Sequence, residues 1–132
     1  MPKVYEYAIR TKKEDEFIDI TYLVDQALKE SSLKEGIVVV FCPHTTAGIT
    51  INENTDPNVG RDMLVTFDKT IPKVGDYKHS EGNSHAHIKA SLIGSSTTII
   101  VENGRLMLGT WQGIYFTEFD GPRNRKVYIK FI

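Results

Sequence analysis

Ile37 to Cys42 reads IVVVFC, an unbroken apolar run closed by Pro43. A strand that faces water on one side alternates apolar with polar residues. An unbroken run is the mark of a strand covered on both faces. The run is far too short to cross a bilayer, so the rest of the chain must cover it.

The flanking segments supply the means. Val4 to Arg10 (VYEYAIR) has the β-branched and aromatic content of a strand, and Glu16 to Ile20 reads as short and extended. From there the period changes. Ile20, Leu23, Val24, Ala27 and Leu28 fall on one helical face, Asp19 or Thr21 can accept from the free N–H groups at its start, and Gly36 follows its end. Thr45 to Asn52 is the next expected strand. Asp56-Pro57 opens a second helix, with Asp as cap and Pro in the first turn, on which Val59, Met63 and Phe67 share a face. Residues 71–83 hold Pro, two Gly and many polar residues, and read as a loop. A short helix is expected from near Ser84 to Ile93, ended by Gly94. Thr97–Val101 and Arg105–Leu108 flank Asn103-Gly104, a hairpin turn signal. Trp111–Phe119 and Lys126–Ile132 are further strands joined by DGPRNR. The expectation is one α+β domain over residues 1–132, with two or three helices on a mainly antiparallel or mixed sheet.

Composition narrows the function classes. The 132 residues carry a formal net charge of −1, with scattered lysines, which argues against broad electrostatic binding of nucleic acid. No segment reads as a membrane span, and MPKVYEYAIR lacks the apolar core of a signal peptide. The lone cysteine excludes an internal disulfide and fits a reducing cytoplasm. Cys42 sits two residues before His44, but it belongs to the apolar run, so packing is expected over nucleophilic use.

Three of the four histidines lie in HSEGNSHAHIK, from His79 to Lys89. Residues two apart on a helix point about 200° away from each other, so only one of His85 and His87 can join a shared ligand set. His85 is expected to be a solvent-facing neighbour. His79 in the preceding loop and His44 at the end of the covered strand are the other candidates. Neutral imidazoles with an open position make a plausible catalytic zinc site; solvated loop histidines give the same spacing.

Three acids follow. Asp56 reads as a helix cap. Glu53 ends a strand and can orient a ligand, act as acid or base, or be a solvated turn residue. Asp62 can turn toward or away from the sheet. In the C-terminal half, Gln112 follows Gly109-Thr110-Trp111 and either donates into a pocket or faces outward. Arg123 and Arg125 beside Gly121-Pro122 match phosphate oxygens, or are solvated cations at a hairpin tip.

PHTTAGITINENTDPNVGRDM, HSEGNSHAHIKASLIGSS, STTIIVENGRLMLGTWQGI and EFDGPRNR, in that order, resemble the signatures of the YjbQ-like family, known as secondary thiamine-phosphate synthase enzyme. The resemblance runs from about His44 almost to Ile132. It implies a compact α+β subunit, a homotrimer, and a pocket holding a divalent metal, often zinc, on His44, His79 and His87. It places the family's acidic words on Glu53, Asp56 and Asp62. Glu53 and Asp62 are the candidate catalytic groups, and Thr45, Gln112, Arg123 and Arg125 the candidates for substrate and phosphate. The implied activity, a weak or secondary one, joins a hydroxymethylpyrimidine diphosphate to a thiazole phosphate and releases diphosphate. With no glycine-rich phosphate loop in the sequence, side chains and metal would hold the phosphate. The competing expectations are a trimeric metal-binding protein without catalysis and a metal-assisted phosphate-ester hydrolase.

Overall fold

A computed structural model describes residues 3–132. Its order is β1 (Val4–Arg10), β2 (Glu16–Asp19), α1 (Thr21–Ser31), β3 (Gly36–Phe41), β4 (Ala47–Glu53), α2 (Pro57–Thr70), α3 (Ser84–Ile93), β5 (Ser96–Glu102), β6 (Arg105–Leu106), β7 (Gln112–Glu118) and β8 (Asn124–Phe131). The strands form two antiparallel sheets, β1-β8-β3-β5-β6 and β2-β7-β4. The α+β expectation holds, with two sheets where one was expected.

The sheets face each other across the main core. Val38 and Val40 of β3, Ile99 and Val101 of β5, and Val127 and Ile129 of β8 meet Ile49 of β4 and Ile114 and Phe116 of β7. α1 adds Val24, Ala27 and Leu28, the face read from its period. Asp19 Oδ1 accepts from the Thr21 backbone N–H at 2.9 Å, and Thr21 Oγ1 accepts from the Ile114 N–H at 2.9 Å, which binds the start of α1 to β7. α2 and α3 join Phe17 and Phe119 in a second, smaller cluster. Asp56 caps α2 through the Asn58 N–H, as the Asp-Pro pair predicts.

The apolar run of β3 departs from expectation in one respect. Val38 and Val40 are fully buried, but Ile37 and Val39 are only partly covered and Phe41 is 40% exposed. One face of β3 lies on the core. The other, with Ile100 of β5, is left open by this chain.

α3 lies against β4 at a close approach. The Gly94 carbonyl accepts from the Ile49 N–H at 3.0 Å, and a Cβ on Gly48 would stand 2.5 Å from that same oxygen. Gly48→Ala is therefore expected to push α3 off β4 and to destabilise the fold by about 1–3 kcal/mol. Urea unfolding measures this, and an unchanged midpoint would mean that the contact yields freely.

Candidate functional site

α3 presents two unlike faces. Its outer side carries His87, which borders two neighbouring hollows. One, of about 430 Å³, lies between the start of β4 and the second half of α3, and His44, Thr45, His87, Ser91 and Ser95 edge it. The other, of about 470 Å³, runs beneath the loop before α3 and is edged by Tyr77, His79, Ser84 and His87. The His79 and His87 rings meet edge to face with centroids 5.5 Å apart. His44, His79 and His87 thus border the hollows on one side of α3, with His87 edging both.

His85 points the opposite way, as the helical period demands, but its surroundings correct the expectation of solvent. It is 4% exposed, and neither ring nitrogen has a hydrogen-bond partner. One turn on, Lys89 is buried beside it and donates to Asp68 at 2.6 Å and Asp15 at 2.9 Å. Burial pulls the Lys89 pKa down, but the two carboxylates outweigh it and hold the ammonium above the usual lysine value. This unforeseen clamp fixes the rotation of α3 and so aims His87 outward.

His44 is held by its own bond. Its Nε2 accepts from the Lys126 backbone N–H at 2.9 Å, which in a neutral ring leaves the proton on Nδ1. Burial first, and then the Arg125 guanidinium, keeps its pKa below the usual histidine value. At neutral pH it is an uncharged imidazole.

These residues suit a zinc-class ion in kind, but only partly in placement. Among the described residues no three His, Cys, Asp or Glu side chains stand close enough to share one ion. His79 and His87 form a pair, while His44 Nε2 is engaged by Lys126.

The other candidates divide by position. Glu53 and Gln112 face each other at the far end of the β4–β7 pair, whereas Ala47 faces Glu118 at the near end. Six residues of strand put Glu53 about 20 Å from the start of β4, where His44 and Thr45 lie. Gln112 Oε1 accepts from the Gly109 N–H at 2.8 Å and so closes its own turn. Asp62 is exposed on α2 and pairs with Arg61 at 2.9 Å. Within one chain these groups do not reach the histidines.

The two arginines part company. Arg123 is exposed, with its Nε donating to the Asp120 carbonyl at 2.7 Å. Arg125 is buried and grips Glu118 with both Nε and Nη2, while Nη2 also donates to Thr46 Oγ1 at 2.8 Å. Its guanidinium is committed to the interior, which corrects its expected role as a phosphate ligand. Cys42 behaves as the apolar run predicts, for burial pushes its thiol pKa up to about 11.

The geometry defines a class: a small two-sheet α+β protein with an open, histidine-bordered cleft beside its third helix. A family model, UPF0047 protein YjbQ-like, matches residues 5–132. The chain belongs to that family. It is 58% identical over 123 residues to UPF0047 protein YugU of Bacillus subtilis, covering 92% of this chain and 93% of the relative. It is 54% identical over 129 residues to UPF0047 protein MJ1081 of Methanocaldococcus jannaschii, covering 98% and 94%. Among solved structures, an uncharacterised YjbQ/UPF0047 protein from Clostridium acetobutylicum superposes with a TM-score of 0.96 at 70% identity, covering 97% of this chain and 99% of that one. A YbjQ-like protein of unknown function from Sulfolobus solfataricus gives 0.93 at 33% identity, covering 99% and 98%.

Arg125→Met is expected to cost about 3–5 kcal/mol, because it strands the Glu118 carboxylate without its counter-charge. Arg123→Met at the exposed tip is expected to stay within about 0.5 kcal/mol. Denaturant unfolding of the two variants separates the buried role from the surface one.

Proposed function

We propose that this chain is a metal-dependent enzyme for small phosphorylated heterocycles, of the kind its resemblance to secondary thiamine-phosphate synthase implies, with a low activity. The supporting observation is the gathering of His44, His79 and His87 around the outer side of α3 beside an open cleft. His79 and His87 would hold the ion. A divalent ion such as zinc would supply charge neutralisation as diphosphate leaves.

The protein's own groups have definite parts in this reading. His44 offers its Nδ1 proton as a hydrogen-bond donor, and Thr45 lies exposed on the cleft edge. Arg123 stands in the turn leading to β8, a few residues from the Lys126 N–H that holds His44; its exposed guanidinium is paired with Asp120 at 3.1 Å, so a phosphate oxygen would bind it in competition with that carboxylate. Glu53 and Asp62 can reach the cleft only from a neighbouring copy. That requirement agrees with a homotrimer, as does the open apolar face of β3 and β5. A reducing cytoplasm suits the buried free thiol of Cys42. Among the described residues no helix is long and apolar enough to cross a membrane.

The distance between the acids and the histidines favours a second reading, a metal-binding trimer without catalysis. Zinc loading followed by dialysis and elemental analysis tests the ligand set. His87→Ala is expected to lose stoichiometric zinc while His85→Ala retains it; equal retention or equal loss would end this assignment. Thiazole phosphate and hydroxymethylpyrimidine diphosphate, with p-nitrophenyl phosphate beside them, then distinguish transfer from ester hydrolysis and from no turnover. For the assembly, Ile100→Glu places a charge on a residue 63% exposed in this chain. Sedimentation is expected to show a trimer for the parent and smaller species for the variant.

A further inference from the structure

The hollow between the start of β4 and the second half of α3 differs from the others in what edges it. Among the described residues no Asp, Glu, Lys or Arg borders it. The hollow beneath the loop before α3 is bordered by Asp76 and Lys78, and a cleft between α2 and β2 by three carboxylates and two cations. The cations that act on His44 are Arg125 and Lys126, and both are matched elsewhere. Arg125 is closed onto Glu118 in the interior, and the Lys126 ammonium stands 3.9 Å from Glu6.

In place of charge the hollow offers hydroxyls. Thr45, Ser91 and Ser95 are exposed at its edge, and among the described residues none of their hydroxyls is hydrogen-bonded within the protein. Thr46, by contrast, turns inward and accepts from Arg125 at 2.8 Å. A hydroxyl both donates and accepts, so three of them match a ligand that carries donors and acceptors without a full charge. The end of α3 points the same way. Ser91 lies in its last turn, where free carbonyl groups carry a partial negative charge. They accept from N–H groups and disfavour an anion.

The frame is rigid and leaves room. The His44 ring is held by the Lys126 N–H and stands edge to face with Phe116, with centroids 6.4 Å apart. Ala47, Ala90 and Gly94 line the hollow with no bulky side chain. The two alanines are buried, and the Gly94 carbonyl is tied to the Ile49 N–H at 3.0 Å. The volume of about 430 Å³ is in the range of small-molecule sites.

We infer that this hollow takes the uncharged, hydrogen-bonding ring of the substrate and not its phosphate, with Ser91 and Ser95 as specificity-determining contacts. A planar nitrogen heterocycle bearing an amino or hydroxymethyl group has the required chemistry. Its ring nitrogens accept from the hydroxyls and from His44, and its amino group donates to hydroxyl oxygens and helix carbonyls. That the ring belongs to a phosphorylated substrate rests on the function proposed above; the preference for a neutral ring does not require the metal.

Nuclear magnetic resonance titration of the full chain, stripped of metal with EDTA and dialysed, tests the inference. The probe is free hydroxymethylpyrimidine, the alcohol without its diphosphate. It is expected to shift the amides of Thr45, Ser91 and Ser95 saturably. Benzyl alcohol keeps the shape but lacks the ring nitrogens and the amino group, and should bind at least about tenfold more weakly. Inorganic diphosphate should leave these amides unmoved. Ser91→Ala with Ser95→Ala is expected to weaken binding of the pyrimidine about tenfold. Should that variant fail to fold, Ser91→Ala alone decides, since alanine suits an exposed helical position, with about a threefold loss expected. The inference is overturned by absence of saturation, by shifts confined to other parts of the chain, by diphosphate moving the same amides, by benzyl alcohol binding as tightly, or by undiminished binding in a folded variant. Because no metal is present, a failure of the zinc assignment leaves this result standing, and a failure here leaves the zinc measurement standing.

Discussion

Between the two sheets, the Glu118 carboxylate and the Arg125 guanidinium are closed off from water together. Removing two charges from water is costly, and the cost is met only when geometry and extra hydrogen bonds are good. Here they are. Thr11 Oγ1 donates to one oxygen of Glu118, the N–H groups of Phe119 and Asp120 donate to the other, and Thr46 accepts the remaining reach of Arg125. One ion pair thereby fixes the end of β7, the turn that follows, the start of β8 and the entry to β4. His44 and Thr45 hang from that entry, and the Lys126 N–H that orients His44 comes from the residue after Arg125. The cleft has a rigid rim because its supports are electrostatic and internal.

The opposite wall depends on a different device. α3 is held by a buried ammonium between Asp15 in the loop before β2 and Asp68 on α2. A purely apolar inner face would leave the helix free to roll by a fraction of a turn. Two directed ionic contacts restrict that rotation and keep His87 turned toward His79 and the cleft. His87 and Lys89 thus stand on opposite faces of one short helix, His87 outward on the cleft and Lys89 inward as its mechanical anchor.

Much of this was legible in the sequence. The helical spacing from Ile20 to Leu28, the Asp56-Pro57 start and the Ser84–Ile93 helix correspond to the elements observed. The separation of His85 from His87 followed from helical geometry, but that geometry does not say which one turns inward. Arg125 carried a signal that went unread: it shares strand phase with Val127, Ile129 and Phe131, all buried, just as Glu118 shares phase with Ile114 and Phe116. Two oppositely charged residues in phase with two buried faces are a pair awaiting assignment. The distance of Glu53 from His44 was likewise implicit in the length of β4. Lys89 was hidden because its partners, Asp15 and Asp68, are far off in sequence.

The first and last strands lie side by side, with Val4 opposite Lys130 and Arg10 opposite Asn124. Arg10 and Asn124 are 114 positions apart and hydrogen-bonded through their side chains. Such distant pairing makes for slow closure. During synthesis β1 emerges from the ribosome before β8 and must wait for it to complete this pairing. A rearranged gene that joined β8 to β1 by a short linker and opened a loop elsewhere would remove that delay, turning this distant partnership into a neighbouring hairpin.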